Sequence, residues 1–397
     1  MKRIVIWTML VACMLMAVSP VQAATANTKV NIVVDEKQLS LDVAPYIENN
    51  RVLVPVRGVF EKLGLGVSWD QKNRKAVVTG EGTDIELKLG SKNVTVNGKA
   101  KAIDVPVTMK DNRLFIPLRF VAENSGVFVK WNQASKTVQL KTNVVKDTEG
   151  FLKRLAEVEL NSFSGDMQIE QTMSMDNEVM TMMLDMKMDM ILDPLGYYQS
   201  MSMEMEGLEE GMTTETYLTK DGFFVFDSSL GKWIKYDDEM YEEIVGLSNQ
   251  QLDPTAQFEL MTKYYESVVV LENDDTYELH MSISGDGFQD LLSEMLGMPG
   301  LGLEGEDLFG ESNIDVKKME IVSVLDKETL FPVAESLDSV MSITVEGETV
   351  EISQKGEFSY SNHNELEEIV IPQDIIDEAI SMEEALAEFE AEFEQAS

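Results

Sequence analysis

Cysteine and histidine are almost missing from this chain. In 397 residues there is one cysteine, Cys13, and there are two histidines, His280 and His363. A single cysteine cannot build a disulfide framework. Two isolated histidines, one in a strand-like stretch and one in "SNHNE", do not make the clustered ligand set that zinc or copper enzymes use. The chain also lacks G-x-S-x-G, a phosphate-binding Gly-rich loop, HExxH and any regularly spaced Asp-rich calcium loop. Basic residues are scarce, 32 against 71 acidic, which leaves a formal net charge of -39. Such a surface repels nucleic acid and anionic polymers.

Long apolar runs are absent too, with one exception. Ile4–Val18 is apolar, follows Lys2 and Arg3, and is broken by Ser19-Pro20 before Val21-Gln22-Ala23. That layout predicts a secretory signal peptide over 1–26, cut after Ala23 or near Ala26. The run is short for a membrane span. Membrane anchoring would require lipidation of Cys13 in "LVAC"; otherwise the mature chain holds no cysteine. The expected location is the extracellular cell envelope.

Charge divides the remainder. Residues 27–142 hold 18 Lys and Arg against 12 Asp and Glu, a net of +6. With Lys2 and Arg3 set aside, the totals leave 12 basic and 59 acidic residues for 143–397, a net of -47. Two environments, and so two domains, are expected.

The basic part repeats itself. "NNRVLVPVRGVFEKLGLGVSWDQ" from Asn49 reappears as "DNRLFIPLRFVAENSGVFVKWNQ" from Asp111, 62 residues on and without a gap. Repeats 30–78 and 92–140 match at Asn31/Asn93, Asp42/Asp104, Arg51/Arg113, Pro55/Pro117, Arg57/Arg119, Glu61/Glu123, Gly64/Gly126 and Trp69/Trp131, among others. Each unit parses as a hairpin (Asn97-Gly98 being a type I′ turn pair), a strand with its Pro at an edge, bulge or end, about two helical turns stopped by Gly64, and a last hairpin. Trp69 is expected to anchor the meeting of sheet and helix. Arg57 and Arg119 read in two ways: as an anion-binding or wall-binding pair at helix N-termini, or as local partners of Glu61 and Glu123 four residues on.

These same stretches resemble the copper amine oxidase N-terminal-like domain over 30–142, through the paired P-x-R and G-x-x-V-x-W motifs. Copper amine oxidase catalysis requires a histidine cluster and a tyrosine-derived quinone, and no histidine lies in this module. The resemblance therefore carries over no copper site. It implies a small α+β non-catalytic module for attachment or binding in the envelope of Gram-positive bacteria.

Beyond residue 143 the dominant feature is methionine at period two. "DTEGFLKRLAEVELNSF" predicts a short amphipathic helix. Then Met167, Ile169, Met173 and Met175 share one strand face. Met180, Met182, Leu184, Met186, Met188, Met190 and Leu192 share another, with Thr181, Asp185, Lys187 and Asp189 opposite; Met201, Met203 and Met205 continue the pattern. An antiparallel meander with an apolar and a polar face is expected. Its methionines fit a core, a pliable surface for a hydrophobic ligand, or a Cu(I) site of soft thioethers. Further on, helices are expected after Asp253 and at "FQDLLSEML", a Gly-rich loop at "GMPGLGLEGEDLFGES", three or four strands to Asn362, an "IVIPQD" strand closing the sheet, and a terminal helix with its apolar stripe at Ile375, Ile376, Ala379, Ile380 and Leu386.

"VLDKETLFPV", "FSYSN" and "IVIP", with "DGFFVFD" and "KWIKY" upstream, resemble the LolA/LppX-like lipoprotein-carrier fold over about 150–375. The resemblance implies a curved, partly closed antiparallel sheet with helices plugging its concavity, and places the methionine face inside.

The expected class is α+β. A duplicated small α+β module (29–142) precedes a curved antiparallel half-barrel sheet with covering helices (143–375) and an acidic C-terminal helix (376–397). The expected function is non-enzymatic binding in the envelope. The basic module would dock to a cell-wall polymer or surface component. The methionine face (Met180, Met182, Met186, Met188, Met190, Met201, Met203, Met205) would hold a hydrophobic or lipid-like ligand. No cofactor, resident metal or nucleic-acid partner is expected. A Cu(I) metallochaperone and a purely structural surface protein stay open, whereas a hydrolase has only abundant carboxylates behind it.

Overall fold

The computed structural model describes residues 30–388 except 81, 176–177, 206–210, 229, 243–244, 246–262, 264, 284–286, 289–312 and 346–347. The chain is predominantly β and falls into two compact units that divide between Lys146 and Asp147.

The first unit runs β1 (Asn31–Val34), β2 (Lys37–Gln38), β3 (Tyr46–Glu48), β4 (Arg51–Pro55), α1 (Val56–Phe60), β5 (Gly66–Asp70), β6 (Lys75–Gly80) and β7 (Thr83–Lys88). It continues with β8 (Asn93–Val96), β9 (Lys99–Ala102), β10 (Thr108–Lys110), β11 (Arg113–Pro117), α2 (Leu118–Glu123), β12 (Phe128–Asn132) and β13 (Thr137–Lys141). Every element from β1 to β6 begins again 62 residues later, and β7 alone has no counterpart. The turns repeat as well. Asp35-Glu36 and Asn97-Gly98 carry positive φ, as do Asn49-Asn50 and Asp111-Asn112, the backbone that tight hairpins demand.

The two repeats are interlocked. β1 pairs in parallel with β13, giving the order β12-β13-β1-β2, so the first hairpin of one repeat joins the last hairpin of the other. The reciprocal sheet is β5-β6-β7-β8-β9, where β7 fills the place between β6 and β8. At the centre β4 and β11 run antiparallel with Val54 opposite Ile116, two positions that are themselves 62 apart. Ion pairs repeat this symmetry: Arg51 meets Asp104 at 2.5 Å and Arg113 meets Asp42 at 2.7 Å. Both larger cores draw on both repeats. One holds Phe60, Val78, Val94 and Ile116, the other Ile32, Val54, Leu118 and Leu140.

Some local expectations shift. The helices begin directly after the prolines, at Val56 and Leu118, and α1 ends at Phe60, so it is shorter than two turns; Gly64, at φ 78°, lies in the turn beyond it. Pro55 sits at the end of β4, where its missing N–H costs the ladder nothing. Trp69 and Trp131 are only half-buried. Each flanks a core and donates its indole N–H to the Gln two residues on, at 2.7 and 2.8 Å.

The second unit opens with α3 (Thr148–Ala156), capped by the Asp147 carboxylate, which accepts from the Gly150 N–H. Then come β14 (Ser162–Met175), β15 (Glu178–Leu192), β16 (Leu195–Met205), β17 (Met212–Thr219), β18 (Gly222–Asp227), β19 (Lys232–Lys235), β20 (Tyr265–Glu272), β21 (Thr276–Ile283), β22 (Asn313–Asp326), β23 (Pro332–Val345) and β24 (Glu348–Ser361). α4 (Gln373–Glu378) and β25 (Ile380–Ser381) follow. All the strands belong to one large curled sheet in the order β20-β21-β22-β23-β24-β14-β15-β16-β17-β18-β19-β25. It is antiparallel throughout except at its β19–β25 edge.

Here too the structure corrects the reading. The helix expected after Asp253 covers "DPTAQFELMTKYYESV", but its last residues, Tyr265–Val268, begin β20. Apart from the helical Lys263, the rest of that helix, the body of "FQDLLSEML" and the Gly-rich loop lie outside the described residues. "IVIP" is not a strand: Ile371 is buried as a single anchor in irregular chain. The terminal helix is not continuous. α4 stops at Ala379, whose extended backbone lets Ile380 pair with Ile234, and Leu386 faces solvent rather than a core. An apolar stripe alone could not reveal that Ile380 satisfies an edge strand better than a helix.

Candidate ligand-binding face

Residues opposite one another in an antiparallel pair share a face, and so do alternate residues along a strand. Register therefore maps the apolar face row by row. One row runs Ser323, Glu335, Phe358, Met167, Met186 and Met201 across β22-β23-β24-β14-β15-β16. The next, two residues along each strand, runs Ile321, Leu337, Gly356, Ile169, Leu184 and Met203. The one after that runs Met319, Ser339, Gln354, Gln171, Met182 and Met205. All eight candidate methionines lie on this face. Unbranched thioether side chains at every second position give it a deformable lining.

Burial along the face is graded. At one end Met182, 4% exposed, joins Ile314, Val316, Met341 and Ile352 in a core, with Met173, Met203, Met205 and Phe288 packed against it. Met186, Met188, Met190 and Met201 are half-buried, whereas Met180 is 41% exposed. The candidate set thus divides into a packed end and a partly open stretch, which alternation alone does not distinguish.

Two polar features on the face escaped the methionine pattern. Ser339 donates to Gln354 Oε1 at 3.2 Å, and Gln354 Nε2 donates to Gln171 Oε1 at 3.1 Å. Glu335 accepts from Ser323 Oγ at 2.6 Å. Burial pushes the Glu335 carboxyl above the usual range, against the pull of that hydrogen bond. Tyr360 on the neighbouring strand is pushed up to about 12 by burial and by Glu335. Only the polar positions in a period-two stretch could have hinted at these groups: Gln171 and Gln354 fall where an apolar residue is due.

The opposite face is polar over β14, β15 and the middle of the sheet: Ser164 pairs with Asp189, Gln168 with Asp185 and Lys318 with Asp338. Towards β19 it turns aromatic. Tyr198, Tyr217, Trp233 and Phe226 form a chain of ring contacts with centroids 4.7 to 5.7 Å apart. The two-face reading thus holds for the methionine strands and fails at this edge.

Arg57 reaches Glu61 at 3.5 Å, and both side chains are more than half exposed. Its geometry is that of a local pair on a short helix. Arg119 occupies the equivalent exposed position on α2. His280 meets Glu278 at 3.0 Å, while His363 contacts the Pro332 carbonyl at 2.7 Å and stacks on Phe331. The two histidines are not brought together. Among the described residues no group of three or more His, Cys, Asp or Glu could hold a metal ion, and no helix is long and apolar enough to cross a membrane.

Comparison with known proteins separates the two units. The model of a family of unknown function, DUF6612, matches residues 153–380. That of the copper amine oxidase N-terminal domain matches residues 33–140. A primary amine oxidase of Klebsiella aerogenes is 29% identical over 69 residues, which are 17% of this chain and 9% of that protein. Among solved structures, LprF from Mycobacterium bovis aligns over 58% of this chain and 99% of its own at 11% identity and a TM-score of 0.29. A DUF1329 family protein from Desulfovibrio piger aligns over 55% and 91% at 12% identity and a TM-score of 0.20. Likeness this slight does not bear on function.

Proposed function

We propose, for a chain that belongs to the DUF6612 family of unknown function, that the methionine-lined face of its large sheet holds a hydrophobic or lipid-like ligand. The supporting observation is the row Met167-Met186-Met201 and the half-buried methionines beside it. A finished core would bury them as it buries Met182. A contiguous apolar face left partly accessible is the usual mark of a binding surface. In this reading the protein is exported, binds without catalysing, and wraps the sheet as a half-barrel around its ligand. Native mass spectrometry of the full chain, purified without detergent, is expected to show adducts of lipid mass that organic extraction removes. A clean apo mass both before and after incubation with lipid extract rejects the reading.

The duplicated module would dock this carrier to an anionic wall polymer. With Arg57 engaged by Glu61, that docking would rest on the module's net positive charge rather than on an arginine pair. Co-sedimentation with purified walls at low salt, abolished at high salt, tests it.

The direct opposition of Met167, Met186 and Met201 in three adjacent strands also supports a second reading, a Cu(I) site of soft sulfur ligands. Titration against a competing chelator decides: affinity weaker than about micromolar, roughly -8 kcal/mol, ends it.

A further inference from the structure

The row Met319-Ser339-Gln354-Gln171-Met182-Met205 puts three polar side chains in the middle of the apolar face. The rows on either side offer them nothing polar: Met341, Ile352 and Met173 on one, Leu337, Gly356 and Ile169 on the other. Ser339 is fully buried and Gln171 is 6% exposed. The hydrogen bonds run one way, from the Ser339 hydroxyl to Gln354 and from the Gln354 amide to Gln171. The chain then stops. Gln171 Nε2 is buried and has no hydrogen-bond partner among the described residues. Buried amide donors are almost always satisfied, and one that is not calls for an explanation.

Resting on the ligand-binding reading above, we infer that Gln171 Nε2 is the donor for a carbonyl oxygen of a neutral acyl ester lying along the face. The chemistry selects the class. The free group is an N–H, so the ligand must bring an acceptor. Of the lysines on the neighbouring strands, Lys187, Lys318 and Lys355 fall on the opposite face by register, Lys318 paired there with Asp338, and Lys317, at the β22 bulge, pairs with Glu351 of that same opposite face. Among the described residues no cation thus stands beside Gln171 on its own face to neutralise a carboxylate or phosphate, and burying such a charge unpaired is prohibitive. Glu335, four residues along β23 from Ser339 on the same face, further opposes an anion. From Gln171 towards Phe163 the same face of β14 continues through Ile169, Gly165 and Met167, roughly 27 Å of strand, to take the alkyl chain.

The test uses the full chain loaded with the apolar dye N-phenyl-1-naphthylamine. The dye is displaced by methyl laurate or by n-tetradecane, each delivered as a cyclodextrin complex. The ester should bind roughly tenfold tighter than the alkane. Gln171→Met, close in shape and matched to its neighbours, should bring the ratio of ester to alkane affinity, both measured on the same variant, to about one. Gln171→Leu, of similar volume and likewise without a donor, should also lose the preference; it serves if Gln171→Met melts below the assay temperature. A preference that survives both substitutions overturns the inference alone. Failure of the wild-type chain to bind the dye overturns the ligand-binding reading, and the inference with it.

Discussion

Truncating two methionines of one strand should have unequal consequences. Met182 and Met186 are both on β15, both on the apolar face, and chemically identical. Met182 is buried among Ile314, Val316, Met341 and Ile352. Met182→Ala therefore forfeits the transfer free energy of a full side chain and leaves a void, about 3 kcal/mol in total. Met186 is half-buried between Met167 and Met201. Met186→Ala gives up about half the transfer term and opens no closed cavity, about 1 kcal/mol. For a unit of this size that is a fall in Tm of roughly 6–12 °C against roughly 2–4 °C, read by circular dichroism on thermal unfolding of the full chain. Binding of an apolar dye should respond in the opposite order, weakened by Met186→Ala and spared by Met182→Ala below its melting point. If both substitutions destabilise equally and neither touches dye binding, the face is a uniform packed core and the graded reading is wrong.

The symmetry of the first unit predicts that Arg51→Ala and Arg113→Ala have small and matching effects on its stability, since the two exposed ion pairs are copies of each other; urea midpoints that differ severalfold would contradict it. A fragment covering residues 29–80 should stay unfolded by NMR, because β1 would lack β13 and both main cores would lose at least half their residues. Dispersed amide resonances from that fragment would refute the interlock. Glu335→Gln should stabilise the protein at pH 8 and leave it unchanged near pH 4. The native carboxyl holds its proton more tightly than the unfolded one, so its share of stability is complete below the unfolded carboxylate range and is lost as pH rises through the raised native pKa. A Tm for Glu335→Gln below wild type at pH 8 would mean that the charged form is favoured in the fold.

Local pattern carried much of this structure. Period-two methionine placed Met180 to Met190 and Met201 to Met205 on one face because the pleat enforces alternation whatever the distant partners are. Asp-Glu and Asn-Gly turns, Pro at a strand end and Gly64 after a helix are equally local. What stayed hidden depends on contacts between distant residues. Nothing near β1 says that its partner is β13, more than 100 residues away. β7 falls between the two repeats, and its place shows only once β6 and β8 are seen to flank it. Ile380 leaves its helix only because β19 has a free edge. The Ser339-Gln354-Gln171 chain joins residues up to 183 apart, and Glu335 is perturbed by the apolar surface around it rather than by a charged neighbour. Those long-range placements contain most of what is chemically particular about the face.

Methionine oxidation footprinting tests the central claim most directly. The full chain is treated with dilute peroxide, with and without loading by lipid extract, and each sulfoxide is quantified by peptide mass spectrometry. The account predicts that loading slows oxidation of Met186, Met188, Met190 and Met201. Met183, on the opposite face and 39% exposed, and the exposed Met240 and Met109 should oxidise at an unchanged rate. Rates at Met186, Met188, Met190 and Met201 that do not respond to lipid, or that change in step with Met183, would contradict it.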